Sequence, residues 1–274
     1  MKSVKVKDIF LAAVIFLSAG CQAENIDLND MVSSEKKFNE RQSKEIVAQM
    51  SLKTMFPDQG ARTLAEAAGK GQVAKVEELV EKGVDVNFRG TKDATPLFWA
   101  MRNLNGFEKL LELGADPNVV FAGGSVIHWS AMNKDLRFLK AALERGGNPN
   151  LVAGQFGETP LFKTIGIKGE DNREAMLLLL SAGANINAQT SGEVFGMSMG
   201  GKTPLMAAAD VVRFDIVGEL LELGADYSLK DDSGRDLVDR ITSVKGRFAS
   251  GSEQEKSLKN VILWLESRGV DVPN

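Results

Sequence analysis

The sequence predicts an all-α repeat protein, a solenoid of helix pairs with β-hairpin loops. Two observations predict this fold class. From residue 62 onward, a leucine-rich segment ending in glycine recurs, with the glycines at positions 83, 114, 146, 183, 224 and 269. The tripeptide Thr-Pro-Leu recurs at residues 95–97, 159–161 and 203–205. A unit of about 30 to 45 residues that carries both signals is typical of stacked helix pairs.

Composition excludes several classes of function. The 274 residues are 43% hydrophobic and 26% charged, which is ordinary for a folded protein. The formal net charge of −4 provides no general attraction to nucleic acid. One cysteine and one histidine exclude an intramolecular disulfide and a cysteine-rich zinc site. We therefore predict a protein that is not an enzyme and that uses no cofactor or metal.

Residues 1–20 are predicted to be an export signal. Lys2, Lys5 and Lys7 form a basic start, and the apolar run over residues 9–19 is too short to span a bilayer. The small residues before Cys21 make this segment resemble a bacterial lipobox, which implies that Cys21 is diacylated and becomes the mature N-terminus. The segment departs from that pattern at Ser18, where leucine is usual. The alternative is a plain secretory signal with a chance cysteine.

A polar tether is predicted over residues 21–61, with a helix within residues 34–53 that docks on the repeat domain. In Gram-negative lipoproteins an aspartate after the cysteine usually marks inner-membrane retention. Gln22 at this position therefore implies an outer-membrane anchor that faces the periplasm. We expect the lipid to be the only contact with the membrane. An internal start at Met31 or Met50 would leave a cytosolic form.

Residues 62–274 resemble five to six ankyrin repeats, the family in which each unit is two antiparallel helices and a hairpin loop. Threonine of Thr-Pro-Leu would cap the first helix, and proline would occupy its first turn. The glycine after the second helix would take the left-handed C-terminal cap, and the aspartate or asparagine after it would help to turn the chain. The helix-end segments lie at residues 79–87, 110–118, 142–150, 179–187 and 220–228.

The later repeats carry predicted insertions. One lies between two helices at residues 166–172, and a longer hairpin covers residues 188–202. The last repeat has an insertion at residues 246–257 and ends in a helix over residues 258–268. Since insertions in repeat proteins map to loops, these segments are expected to adapt the protein to one partner.

Two motifs with catalytic associations overlap in the long hairpin. Residues 196–203 satisfy the phosphate-loop pattern GxxxxGK[ST], and residues 196–200 satisfy GxSxG. A phosphate loop needs free N–H groups at the start of a helix, whereas Thr203 is a predicted cap and Pro204 has no N–H. A nucleophile at Ser198 needs a histidine, and the only one, His128, lies two repeats away. We predict that neither motif is functional.

Three further residues stand at repeat landmarks. The resemblance implies that His128 bridges neighbouring backbones as a structural residue, and the alternative is a pH switch. Trp99 and Trp129 hold the same position in consecutive repeats. They are either packed between repeats or form a ledge at the edge of the concave face, and the sequence leaves both open.

A partner-binding surface is predicted on the loops and inner helices. Four phenylalanines lie between one repeat's asparagine and the next helix, and loop tips point outward in this fold. They would form an exposed row, and the alternative is that some tuck beneath the loops. Methionines add adaptable contacts. The candidate residues are Phe88, Arg89, Arg102, Asn103, Phe121, Met132, Asn133, Phe156, Phe195, Met197 and Met199.

The whole pattern of lipobox, tether and repeats is similar to ankyrin-repeat lipoproteins that serve as immunity partners of type VI secretion phospholipase effectors. This resemblance implies a monomer that binds and neutralises such an effector in the periplasm by covering its active-site mouth. The alternative is an envelope scaffold that supports a periplasmic enzyme such as a stress-response enzyme. A third class, an ATPase or hydrolase built on residues 196–203, lacks its partner residues.

Overall fold

The computed structural model describes residues 51–165, 173–194, 197–198 and 200–273. Residues 52–274 group into one unit. The unit begins upstream of residue 62, because Phe56 is completely buried and Met55 nearly so. In the described ranges no helix has both the length and the apolar character needed to cross a membrane.

The predicted repeat solenoid is confirmed. Its helices alternate along the chain as inner and outer members of successive pairs, and a 3-10 helix at Pro160–Thr164 replaces the inner helix of the fourth repeat. The α-helices are α1 Leu52–Met55, α2 Gln59–Gly69, α3 Val73–Glu81, α4 Pro96–Ala100, α5 Leu104–Glu112, α6 Val126–Ala131, α7 Arg137–Glu144, α8 Arg173–Ser181, α9 Pro204–Asp210, α10 Phe214–Glu222, α11 Leu237–Val244 and α12 Glu253–Glu266.

Neighbouring repeats pack inner helix against inner helix and outer helix against outer helix. Helix α2 contacts α4 and α9 contacts α11, while α3 contacts α5 and α10 contacts α12. The core runs continuously along this stack. Its most regular element is the aliphatic residue two positions after the N-cap residue of the later inner helices, which is fully buried at Leu97, Ile127, Leu161 and Leu205. Leu64 is equally buried inside α2, which starts earlier at its cap Asp58.

The caps explain where the inner helices start. The hydroxyl of Thr95 accepts a hydrogen bond from the Phe98 N–H at 3.1 Å, and that of Thr203 accepts from the Met206 N–H at 3.3 Å. Each satisfies an N–H that the first helical turn leaves free. Thr159 differs, because its buried hydroxyl has no hydrogen-bond partner among the described residues. The 3-10 helix therefore starts without a side-chain capping hydrogen bond from Thr159.

A ladder of asparagines joins the loops between repeats. The side chain of Asn118 donates to the Gly146 carbonyl at 3.0 Å and accepts from the Asn148 N–H at 2.7 Å. Asn87 and Asn150 make the same pair of bonds to their next repeats. Each repeat therefore fixes the loop of its neighbour.

The structure describes two of the three predicted insertions, the long hairpin only in part, and their details differ from the prediction. Within the long hairpin, strands β1 Glu193–Val194 and β2 Met197–Ser198 pair antiparallel, with Glu193 opposite Ser198. The last helix, α12, begins at Glu253 instead of residue 258, because Ser252 caps it by accepting from the Glu255 N–H. The predicted insertion at 166–172 lies outside the described residues.

Candidate functional site

The inner-helix surface of the second repeat is built around Trp99 and Arg102. Trp99 is half-buried, and its ring stands where a side chain on Gly69 would collide with it at 2.9 Å. The guanidinium of Arg102 lies 3.7 Å from the centre of the Trp99 ring and donates to the Trp99 carbonyl at 2.9 Å. Partial burial lowers the pKa of Arg102 below its ordinary value.

The third repeat presents Trp129 and Met132 at the corresponding positions. The indole N–H of Trp129 donates to the Gly124 carbonyl at 3.2 Å, which holds the ring beside the loop. Met132 follows on the same face and is 52% exposed. Both tryptophans are thus partly packed and partly presented to solvent.

The predicted phenylalanine row is wrong at Phe121. This residue is only 3% exposed, and its ring packs against Phe98 with centroids 4.5 Å apart. The physical reason is the register of the loops. The third residue after each ladder position points inward, as Phe121, Ala153, Thr190 and Asp231 all do.

Other apolar side chains face solvent on the loops. Phe156 is 39% exposed, as predicted, and Phe88 is half-buried. Val120 and Val152, which were not among the sequence candidates, stand one position before the inward-pointing residue and are 39% and 55% exposed. Their exposure could have been predicted from the alternation of inward and outward side chains that follows each ladder asparagine.

The remaining candidates divide between the surface and local structure. Arg89 is exposed on the first loop. Asn103 caps α5 by accepting from the Gly106 N–H at 3.3 Å, and Asn133 accepts from the Asp135 N–H at 3.0 Å. Phe195 and Met199 lie outside the described residues, and for Met197 only the strand backbone is described.

His128 is structural in its geometry. Its Nδ1 accepts from the Ser125 N–H at 3.1 Å, and its Nε2 lies 3.2 Å from the Glu158 carbonyl oxygen in the next repeat. Since a carbonyl only accepts, Nε2 carries the proton and the ring is neutral. Burial is the main cause that lowers the pKa of His128 below 6.5.

The residues of the phosphate-loop pattern make structural contacts. Thr203 caps α9, and the Lys202 ammonium pairs with the Asp210 carboxylate at 2.6 Å. Pro204 stands at the first helical position, where a phosphate would need an N–H. No arrangement for binding a phosphate is formed by these three residues.

A buried charge network, also missed from the sequence, closes the same surface in the later repeats. Arg240 is 5% exposed, and its guanidinium bonds Asp231 at 2.5 Å and Asp210 at 2.9 Å. It also donates to the carbonyls of Arg235 and Asp236. Burial alone would raise the pKa of Asp231, but the Arg235 N–H and the Arg240 guanidinium bring it below its ordinary value.

A cavity of about 160 Å³ lies beside this network, lined by side chains of α9 and α11. Its polar groups are already engaged in the network. Among the residues that the structure describes, no cluster of histidine, cysteine, aspartate or glutamate side chains is arranged to hold a metal ion.

Comparison with known proteins identifies the repeats. The family description "Ankyrin repeats (3 copies)" matches residues 127–231. The chain contains an ankyrin-repeat domain. The crystal structure of the ankyrin-repeat domain of Bcl-3 has a TM-score of 0.59 at 22% identity and covers 76% of this chain and 86% of its own. An ankyrin-repeat domain from Acinetobacter baumannii AYE has a TM-score of 0.56 at 23% identity, with 72% and 95% covered.

Sequence relatives share the ankyrin-repeat region with proteins of several kinds. Protein PhlB of Serratia liquefaciens is 30% identical over 55% of this chain and 62% of its own length. Palmitoyltransferase Hip14 of Drosophila melanogaster is 28% identical over 61% of this chain but only 21% of its own length. The chain thus spans less than two thirds of these relatives. Since an ankyrin-repeat domain mediates contacts between proteins, its exposed loops and inner helices are the candidate site.

Proposed function

We propose that this ankyrin-repeat protein is a periplasm-facing lipoprotein that binds and neutralises an antibacterial phospholipase effector. The observation that carries the proposal is the exposed apolar surface on the loops and inner helices, where Met132, Val152 and Phe156 stand in solvent. Clusters of this kind on a rigid scaffold favour association with another protein. A bacterial setting is supported by one relative, PhlB, which comes from the bacterium Serratia liquefaciens.

The described residues favour binding over catalysis. The side chains with catalytic associations are engaged in structural contacts, as His128 is with two backbones and Lys202 is with Asp210. Inhibition is therefore steric in this proposal. The loops and inner helices cover the mouth of the lipase active site, or the apolar surface through which a lipase contacts its substrate membrane.

The proposed anchor is Cys21, which carries the lipid that holds the protein at the outer membrane. We expect Cys21→Ser to abolish labelling by a fatty-acid analogue and to release the protein into the periplasmic fraction. Ser18→Ala provides a control with an intact cysteine and should remain labelled. Membrane attachment that survives in Cys21→Ser would contradict a lipid anchor.

The main experiment tests the effector. The full-length chain, solubilised in mild detergent, is immobilised and exposed to secreted and envelope fractions of its source cells. We expect one stoichiometric partner with phospholipase activity, and that activity should fall as the chain is titrated in. A retained enzyme of the envelope that stays fully active would instead support a scaffold role.

A further inference from the structure

We propose that the inner-helix face of the second and third repeats docks an acidic segment of the partner protein that carries an apolar anchor. This face, called the tryptophan face below, consists of Trp99, Arg102, Trp129 and Met132. The inference rests on the proposed function, because it specifies the chemistry of the partner that the function requires.

The apolar part of the tryptophan face is fixed before any partner arrives. Trp99 is held over Gly69 and under the Arg102 guanidinium, and Trp129 is held by its bond to the Gly124 carbonyl. Little side-chain entropy is therefore lost when a partner packs on these rings. Met132 beside them is flexible and exposed, so it adapts to the shape of an inserted apolar side chain.

Arg102 supplies the reason for an acidic partner. Two other arginines are neutralised within the chain, Arg137 by Asp135 and Arg213 by Asp215, both within 2.7 Å. No carboxylate among the described residues pairs with Arg102, although its guanidinium is stacked on a ring and partly desolvated. A stacked guanidinium of this kind retains N–H groups that bind a carboxylate strongly.

The neighbouring charges strengthen this complementarity. Lys134 is exposed two residues after Met132, and no ion pair joins it to another described residue. Glu66, on helix α2 which packs against α4, is paired with Lys70, and Asp135, three residues after Met132, is paired with Arg137. The tryptophan face is thus locally positive on a chain whose net charge is −4, so it selects acidic groups.

The inner helices of the later repeats do not offer the same chemistry. Asp210 stands seven residues after its capping threonine, as Arg102 does, but it is bound by Arg240 and Lys202. The equivalent of Trp99 in the fourth repeat is Lys163, which pairs with Glu158. Among the described residues of the inner helices, a guanidinium without a carboxylate partner and exposed apolar side chains therefore occur together in the second and third repeats. A second stacked guanidinium, that of Arg268 at 3.4 Å from the centre of the Trp264 ring, lies outside this face, just after outer helix α12.

Two variants test the tryptophan face, each with a matched control. Arg102→Glu reverses its charge, and Lys140→Glu makes the same reversal on outer helix α7, where the lysine is 66% exposed. Met132→Asp replaces the exposed apolar side chain of the tryptophan face by a charge. Leu263→Asp makes the same kind of replacement on α12, where the leucine is 62% exposed. The probe is the partner retained by the full-length wild-type chain, purified and titrated against each variant.

We expect Arg102→Glu and Met132→Asp each to weaken binding by at least about tenfold, and the controls to change it by less than about twofold. Thermal melting of all four variants confirms that they fold. A photo-crosslinking residue at position 132 should label a partner segment in which aspartate or glutamate flanks an apolar side chain. Arginine at the labelled acidic position should restore binding to Arg102→Glu.

The outcomes separate this inference from the proposed function. A phospholipase that is inhibited equally well by Arg102→Glu and Met132→Asp would overturn the inference and leave the function intact. A partner that needs both residues but is no phospholipase would overturn the function alone. Retention of no protein by the wild-type chain would overturn both. Binding of Cys21→Ser to phosphatidylglycerol vesicles that Arg102→Glu abolishes would replace the protein segment by a lipid surface.

Discussion

At the residue scale, His128 shows how a residue at a repeat landmark position links two neighbouring repeats by hydrogen bonds. Its ring accepts from the Ser125 N–H and donates to the Glu158 carbonyl, so it links the loop before α6 to the next repeat. Each bond uses one ring nitrogen of the neutral form. A second proton on Nδ1 would face the Ser125 N–H, which also donates.

This geometry predicts a pH dependence. The folded-state pKa of His128 lies below its unfolded value of 6.5, so the unfolded chain binds the proton more readily. The contribution of neutral His128 to the free energy of unfolding should be fully present above pH 6.5. Below pH 6.5 the free energy of unfolding should fall by at most about 1.4 kcal/mol per pH unit. Urea unfolding at pH 7.5 and 5.5 measures this change. Since the chain has one histidine, His128→Gln should lose most of the dependence in this window.

Thr159 provides a second test at the scale of one residue. Its hydroxyl is buried without a hydrogen-bond partner among the described residues, whereas the Thr203 hydroxyl caps α9. We expect Thr159→Val to maintain or increase the free energy of unfolding, because no bond is lost and a desolvated hydroxyl is removed. Thr203→Val should lower it by about 1 kcal/mol. Equal losses in the two variants, measured in urea, would show that Thr159 makes a cap after all.

At the scale of elements, glycines within helices have opposite roles that the sequence alone does not separate. A methyl group on Gly106 of α5 would lie 1.9 Å from the Ala68 carbonyl oxygen of α2. On Gly218 of α10 it would meet only a Val261 methyl at 3.8 Å. Gly106 therefore permits two helices to touch, while nothing in the packing requires Gly218.

The two glycines predict opposite effects of the same substitution. Gly218→Ala should raise the free energy of unfolding by about 0.5–1 kcal/mol, because alanine restricts the unfolded chain and favours the helix. Gly106→Ala should lower it by about 1–3 kcal/mol or more, since α2 and α5 must separate. Chemical denaturation of both variants decides the matter. Destabilisation by Gly218→Ala would reveal a contact that the described residues do not show.

The elements also show why the sequence predicted some features and missed others. Caps and terminal glycines were predictable because they depend on local backbone conformation, and Thr203 and Gly224 behave as expected. The burial of Phe121 was missed because the inward or outward direction of a loop residue depends on its register after the ladder asparagine. The 3-10 helix after Thr159 was missed because its Thr-Pro-Leu start equals that of α9.

At the scale of the whole molecule, the candidate site was predictable in location and only partly in membership. Arg102, Met132 and Phe156 were expected at the surface and are exposed there. Arg240 pairs with Asp231, nine residues earlier, and with Asp210, 30 residues earlier, and no sequence motif predicts either pair. Tertiary ion pairing, more than any local sequence signal, therefore decides which part of the inner-helix surface is free to bind a partner and which part is occupied by the Arg240 network.

The buried Arg240 network predicts which helices open first when one of its carboxylates is removed. Asp231→Ala would leave the Arg240 guanidinium buried without a main partner, at a cost of about 3–5 kcal/mol. Because each repeat contacts only its neighbours, the loss should appear in α9, α11 and α12 and not in α2 to α5. Hydrogen exchange followed by mass spectrometry measures each helix separately.

Asp215→Ala is the matched control for this experiment, because it removes a carboxylate from an arginine pair in which Asp215 is half exposed. We expect a change of less than about 1 kcal/mol there. Faster exchange confined to the C-terminal helices in Asp231→Ala would show that the tryptophan face stays folded when the last repeats open. Partner binding by that variant should then persist. Uniformly faster exchange would instead show that the array opens as one cooperative unit, in which case the Arg240 network stabilises the docking surface from a distance.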